Sequence, residues 1–127
     1  MSASHDLAAL VRHYWAAAVA RDWAAFGDTV HPDVVYRVPQ TREVVKGRAD
    51  YVEFNRTYPG DWQLDVVSVA TGPGQAVSRC DFTVGGATAV GISFFTVDEA
   101  GLITAIDDFW PEAYEPPVRM TAVVQRY

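Results

Sequence analysis

Residues 61–110, DWQLDVVSVATGPGQAVSRCDFTVGGATAVGISFFTVDEAGLITAIDDFW, decide the fold. Upstream of them apolar side chains recur at helical spacing; within them the pattern alternates, the period of a β-strand. Gly72-Pro73-Gly74, Gly85-Gly86 and Asp98-Glu99-Ala100-Gly101 divide the stretch, and each divider is strong turn chemistry. Strands are expected near 62–71, 75–84, 87–97 and 102–110, joined as an antiparallel meander.

Working outward, the first sixty residues read as helices around two short strands. Ser4 or Asp6 can cap a helix to about Arg21, with Leu7, Leu10, Val11, Tyr14 and Ala18 on its buried stripe. Asp22 can cap a second, short helix with Trp23, Phe26 and Val30 facing inward, and His31-Pro32-Asp33 should end it. Val34 to Val38 reads as a strand closed by Pro39, and Thr41 to Lys46 as a short strand returning from it. Gly47-Arg48 opens a third helix through Tyr51, Phe54 and Asn55, which Pro59-Gly60 terminates. Three helices followed by a meander predict an α+β fold, with the helices on one face of a curved sheet and a cavity between the layers. The chain is expected to be one domain, 1–127, whose last residues, 111–127, carry Pro116-Pro117 and form a tail along the rim or against a partner subunit.

Composition narrows the partners. With 127 residues, 50% of them hydrophobic and 20% charged, there is room for one core. A net charge of −6 repels phosphate backbones and anionic lipid, so neither nucleic acid nor a membrane surface is an expected partner. The longest apolar stretch, Tyr14 to Ala20, is too short to span a bilayer, and the opening residues Met1 to Asp6 do not read as a secretory signal. Cys80 is alone, which excludes an intrachain disulfide and fits a cytoplasmic location. His5, His13 and His31 lack metal-ligand spacing with carboxylates, and the glycine pairs are turns, not phosphate cradles. Neither a metal nor another cofactor is therefore expected.

The order of elements, with His31-Pro32-Asp33-Val34-Val35-Tyr36, Gly47-Arg48, and Gly101-Leu102-Ile103-Thr104 leading to Phe109-Trp110, resembles the nuclear transport factor 2-like superfamily. Within it the chain looks closest to SnoaL-like proteins of the polyketide-cyclase type, up to about Trp110. The resemblance implies a cone with a pocket. It does not choose a chemistry, because hydrolases, isomerases, cyclases, dehydratases and binding modules share this scaffold.

Pocket residues follow from strand faces. Ala89, Gly91, Ser93 and Phe95 share one face, small enough to leave a cavity; Val90, Ile92 and Phe94 share the other, bulky enough to bury against a second subunit as a homodimer. In the last strand the superfamily pattern implies that Asp108 and Trp110 face the pocket. The loop at Gly85-Gly86 sets the facing of Arg79 and Asp81: an odd number of loop residues turns both inward, and a strict two-residue turn reverses them.

Arg79-x-Asp81 with Asp108 resembles the arginine–aspartate–aspartate set of limonene-epoxide hydrolases. That resemblance implies Asp108 as the water-activating base, Asp81 as the acid that protonates the epoxide oxygen, and Arg79 as the bridge between them. Two neighbouring carboxylates cannot both ionise cheaply in an apolar cavity, so one serves as acid and the other as base. Tyr36 matches a water-placing tyrosine, whereas Val38 stands where that family carries a water-holding asparagine, a role Asn55 could take over only if its side chain reaches the pocket. Against ketosteroid isomerases, Tyr14 falls on the oxyanion-holding tyrosine, but Val38 replaces the base and Ser93 the second acid, which excludes that arrangement. The polyketide cyclases imply Asp108 as acid/base. The expected activity is thus a cofactor-independent acid/base enzyme, a hydrolase or an isomerase or cyclase, on a small apolar organic molecule. Asp108, Arg79 and Asp81 would be catalytic. Tyr14, Tyr36 and Asn55 would place substrate or water, and Phe54, Ser93 and Trp110 would shape the cavity. The alternative is a non-catalytic binding or dimerisation module using the same pocket. Convergence of Asp108, Arg79 and Asp81 on one cavity separates the two readings, since burying such a set without a task is costly.

Overall fold

Asp6 and Asp22 start the first two helices in the same way. Each carboxylate accepts from the backbone N–H three residues on, Ala9 at 3.0 Å and Ala25 at 3.1 Å, satisfying donors that a helix start leaves orphaned. The computed structural model describes residues 6–127, so Ser4 and His5 lie outside the described residues. Helix α1 spans Leu7–Val19, α2 Trp23–Asp28 and α3 Arg48–Arg56. Gly47 precedes α3 with φ +91°, a left-handed value that favours glycine.

Six strands follow the expected order: β1 Val30–Val38, β2 Glu43–Lys46, β3 Gln63–Gly72, β4 Gln75–Val84, β5 Ala87–Val97 and β6 Ile103–Phe109. They form one sheet in the order β2-β1-β6-β5-β4-β3. The meander is antiparallel throughout, β2 returns antiparallel on β1, and β1 lies parallel to β6. Three helices packed on this curved, mostly antiparallel sheet make the α+β fold expected from the sequence.

One local expectation is corrected. Helix α2 stops at Asp28, and Val30 to Asp33 belong to β1 instead of closing the helix. Thr29 Oγ1 bonds back to the Phe26 carbonyl at 2.7 Å, and the β1–β6 register shifts between Val30 and Val35, so proline at 32 interrupts no regular ladder there. Residues 111–127 contain neither helix nor strand, and Tyr114, Val118 and Met120 are 83%, 91% and 97% exposed.

The inner face of the sheet carries Val34, Tyr36 and Val38 of β1, Ser78 and Cys80 of β4, Ser93 and Phe95 of β5, and Ile106 and Asp108 of β6, all buried. Helix α1 covers β3 and β4, where Trp15 Nε1 donates to Ser78 Oγ at 3.0 Å; α3 lies over β1. Gly85 and Gly86 form a strict two-residue turn, with φ +57° and +82° and Val84 paired directly with Ala87. That turn fixes the register in which Ser78 faces Ser93, while Arg79 lies opposite Ile92 and Asp81 opposite Val90. Arg79 and Asp81 therefore belong to the outer face.

Candidate functional site

Asp108 is the polar centre of the inner face. It is the second-last residue of β6, only 4% exposed, and three donors from three directions meet its carboxylate. Ser93, its direct partner across the β5–β6 pairing, donates to Oδ1 at 2.5 Å. The Tyr36 hydroxyl from β1 donates to Oδ2 at 2.6 Å, and Trp110 Nε1 donates to the same oxygen at 3.2 Å. Burial pushes the Asp108 carboxyl above its usual value, and the bonds from Ser93, Tyr36 and Trp110 only partly offset this.

A cavity of about 50 Å³ opens beside Asp108. At 10–15 Å³ per water, that is room for roughly four waters or one small ring, less than a polycyclic ketone needs. Helix α1 contributes Tyr14, Trp15 and Ala18 to the wall, and α3 contributes Tyr51, Phe54 and Asn55. Tyr58, Trp62, Leu64 and Phe82 complete the wall with Tyr36, Asp108 and Trp110. Among the described residues, none of these lining side chains is a cation. Asp108 thus sits in an aromatic enclosure with neutral donors alone to hold its charge.

The tyrosines are neutral donors. Tyr14 and Tyr51 hydrogen-bond to one another through their hydroxyls, and the Tyr51 ring lies 4.8 Å from that of Tyr36. Burial raises all three phenols well above their ordinary value, and the Asp108 charge raises Tyr36 further. None ionises near neutrality, so each can only share a proton.

The structure brings together part of the expected set. Asp108, Tyr14, Tyr36, Asn55, Phe54 and Trp110 all line the cavity. Asn55 is partly occupied there, since its amide donates to the Tyr51 carbonyl one turn back at 2.9 Å. Ser93 is corrected: it does not shape the wall but is buried behind Asp108, holding Oδ1. Arg79 and Asp81 are corrected as well, because the two-residue turn faces them away from the cavity, and Arg79 is exposed. Gly91 was expected to leave space; instead the Trp110 ring fills the space above it. Tyr51, Trp62 and Phe82 were missed. Tyr51 was findable, since it falls on one α3 face with Phe54 and Asn55 at spacings of three and four. Phe82 shares its face with Ser78 and Cys80, so the register that excludes Arg79 selects it.

No three His, Cys, Asp or Glu side chains among the described residues gather closely enough to hold a metal ion. No described helix is long and apolar enough to cross a membrane.

A family model, the SnoaL-like domain, matches residues 11–106. The chain belongs to the SnoaL-like domain family. Among solved structures, a Kribbella flavida protein provisionally named a ketosteroid isomerase is 41% identical, with 95% of this chain and 89% of that chain covered and a TM-score of 0.89. An epoxide hydrolase of the limonene-epoxide-hydrolase-like type from Mycobacterium tuberculosis is 14% identical, covering 83% of this chain and 82% of that one with a TM-score of 0.71. A Shewanella denitrificans protein provisionally named a SnoaL-like polyketide cyclase is 13% identical, covering 83% and 90% with a TM-score of 0.74. The last two are similar in fold alone. No curated protein matches the sequence. SnoaL-like membership accounts for the cone and its pocket, and the chemistry must be read from the side chains in it.

Proposed function

We propose that the cavity binds a small, flat, largely apolar organic molecule through one polar group, and that Asp108 exchanges a proton with that molecule without a cofactor. One observation carries this reading: a carboxylate 4% exposed on the wall of an aromatic cavity that has no cationic lining side chain. A pocket built only to hold an apolar ligand gains nothing from such a group, whose burial is costly. A carboxyl with raised proton affinity is a better base than an ordinary surface aspartate. It would take a proton from carbon next to a ligand carbonyl and return it at another position, an isomerisation or ring-closing step with no net loss of atoms. Tyr36 and Ser93 would position Asp108, and Tyr14, Tyr51 and Asn55 would orient the ligand.

Hydrolysis by paired carboxylates has no support, because Arg79 and Asp81 face away from the cavity. The Kribbella protein's provisional name fits proton transfer at carbon, but a base at position 38 is unavailable, since valine is buried there. Binding without turnover is the second reading. It is favoured by two observations: Arg79 and Asp81 do not converge with Asp108 on the cavity, and both Asp108 oxygens already accept hydrogen bonds.

Deuterium uptake from heavy water into small cyclic ketones, followed by NMR, decides between the two. Faster uptake with the protein, lost in Asp108→Asn, supports proton exchange. Ketone binding without uptake makes this a binding module, and uptake unchanged in Asp108→Asn removes Asp108 from the chemistry.

The outer sheet face, with Phe94 46% exposed beside half-buried Val90 and Ile92, is proposed as the surface of a homodimer. Cys80, buried with its thiol pushed up to about 11, is consistent with a cytoplasmic protein.

A further inference from the structure

Gly91 has no conformational reason to be glycine. It lies inside strand β5 and is absent from the positive-φ glycines, which are 47, 60, 74, 85, 86 and 101. Glycine within a strand weakens it, so its presence marks a close approach. The approaching group is Trp110. A Cβ at Gly91 would come within 2.8 Å of both Cη2 and Cζ3 of the indole and within 3.3 Å of Cε3.

Trp110 has little freedom to yield. Its backbone N–H donates to Gln40 Oε1 at 2.5 Å, and Gln40 Nε2 donates to its carbonyl at 3.1 Å, so one amide holds both sides of the peptide. Nε1 is committed to Asp108, and the Phe82 ring stands edge-on, 5.3 Å away at 72°. With the backbone clamped, a side chain at 91 moves the ring by rotation off the sheet, toward the cavity it lines. Reaching ordinary contact from 2.8 Å requires roughly 0.6–1 Å of movement, a large change for a cavity of about 50 Å³.

We propose that Gly91 is a specificity-determining position: by letting the Trp110 indole lie directly on β5, it sets the width of the slot and keeps Nε1 on Asp108. Glycine leaves room for one small ring beside Asp108, and any larger residue at 91 narrows the slot to smaller, open-chain ligands. The inference rests on the ligand-binding reading above for its ligand class, while the placing of Trp110 stands on geometry alone.

The test uses the full chain, cyclopentanone and acetone as probes, and the indole N–H resonances of the tryptophans. Loss of one resonance in Trp110→Phe assigns Trp110. In Gly91→Ala that resonance is expected to shift in the same direction as in Asp108→Asn, cyclopentanone affinity to fall about tenfold, and acetone affinity to change less than threefold. Adding Trp110→Phe to Gly91→Ala should return cyclopentanone affinity to within about threefold of Trp110→Phe alone. A folded Gly91→Ala with an unmoved Trp110 resonance, or with cyclopentanone affinity unchanged, overturns the proposal while leaving the ligand reading intact. A wild type that binds neither probe refutes that ligand class, and the resonance still decides whether Gly91 holds the ring. If Gly91→Ala does not fold, recovery of folding in the double variant supports the contact, and failure of both overturns it.

Discussion

The Tyr36 hydroxyl reaches Asp108 across the parallel β1–β6 pair, donating to Oδ2 at 2.6 Å. Tyr36 lies opposite Ile106, so Asp108 is its diagonal neighbour, two residues further along the same face. Only a long side chain bridges that diagonal, and a phenol does so while keeping its ring among Tyr51 and Phe54, at 4.8 Å and 5.3 Å.

Tyr36→Phe keeps this ring packing and removes the bond. A hydrogen bond to a charged acceptor contributes about 1.5–3 kcal/mol, and loss of that order is expected in urea denaturation. Because the bond from Tyr36 lowers the Asp108 proton affinity, its removal should raise that carboxyl further. Titration of the Asp108 carboxyl carbon by NMR in both proteins checks the direction; a value that falls in the variant contradicts the assignment of donor and acceptor.

Asp108 also predicts how stability responds to pH. Its folded proton affinity is raised above the ordinary value of 3.8, so between that pH and the folded value the native state binds more protons than the unfolded chain. Stability from this group is therefore greatest in acid and falls as pH rises through that window. Other carboxylates superimpose slopes of their own, so the informative quantity is a difference. Asp108→Asn, which can still bond Ser93, Tyr36 and Trp110, should gain stability relative to wild type as pH rises from about 4 to 7. Urea midpoints measured across that range test it, and a constant difference would leave Asp108 with no raised affinity.

Arg79 and Asp81 should be dispensable to the pocket. They lie opposite Ile92 and Val90 on the outer face. Changing either to alanine is expected to leave ligand affinity within about twofold of wild type and monomer stability within about 0.5 kcal/mol. A tenfold loss of binding of any pocket ligand in Arg79→Ala would contradict the register at Gly85-Gly86.

That register shows where legibility ended. The meander and the caps at Asp6 and Asp22 were readable, because each depends on local chemistry or on one strand's alternation, whereas the inward facing of Asp108 with Trp110 came from the superfamily resemblance. The facing of Arg79 and Asp81 depended on loop parity, where one residue turns a whole strand over. Val30 was placed on a helix because apolar spacing of four fits either period over so short a run, and the β6 partner that claims it is 73 residues away. Gly91 was read as empty space for a related reason. A small side chain on a strand says that something can come close, and only the folded chain shows that Trp110 does.

The proposed dimer makes the last prediction. Single exposed apolar residues are ordinary, so Phe94 at 46% exposure would mean little by itself. Its context differs: its ring packs edge-on against Phe109 at 5.7 Å and 88°, with Val90 and Ile92 half-buried on the same strand face. Together they make an apolar strip along β5, flanked by Asp81, Arg79 and Asp107, on the sheet face that no helix covers, of the kind that marks an interface. Phe94→Glu places a charge on that strip, directly opposite Asp107, while leaving the inner face untouched. Light scattering at tens of micromolar should therefore give a dimer for wild type and a monomer for Phe94→Glu, with unchanged circular dichroism and unchanged pocket binding. A wild-type monomer removes the interface outright. A Phe94→Glu dimer would move it to another surface, for which the exposed side chains of Tyr114, Val118 and Met120 in the tail are the alternative.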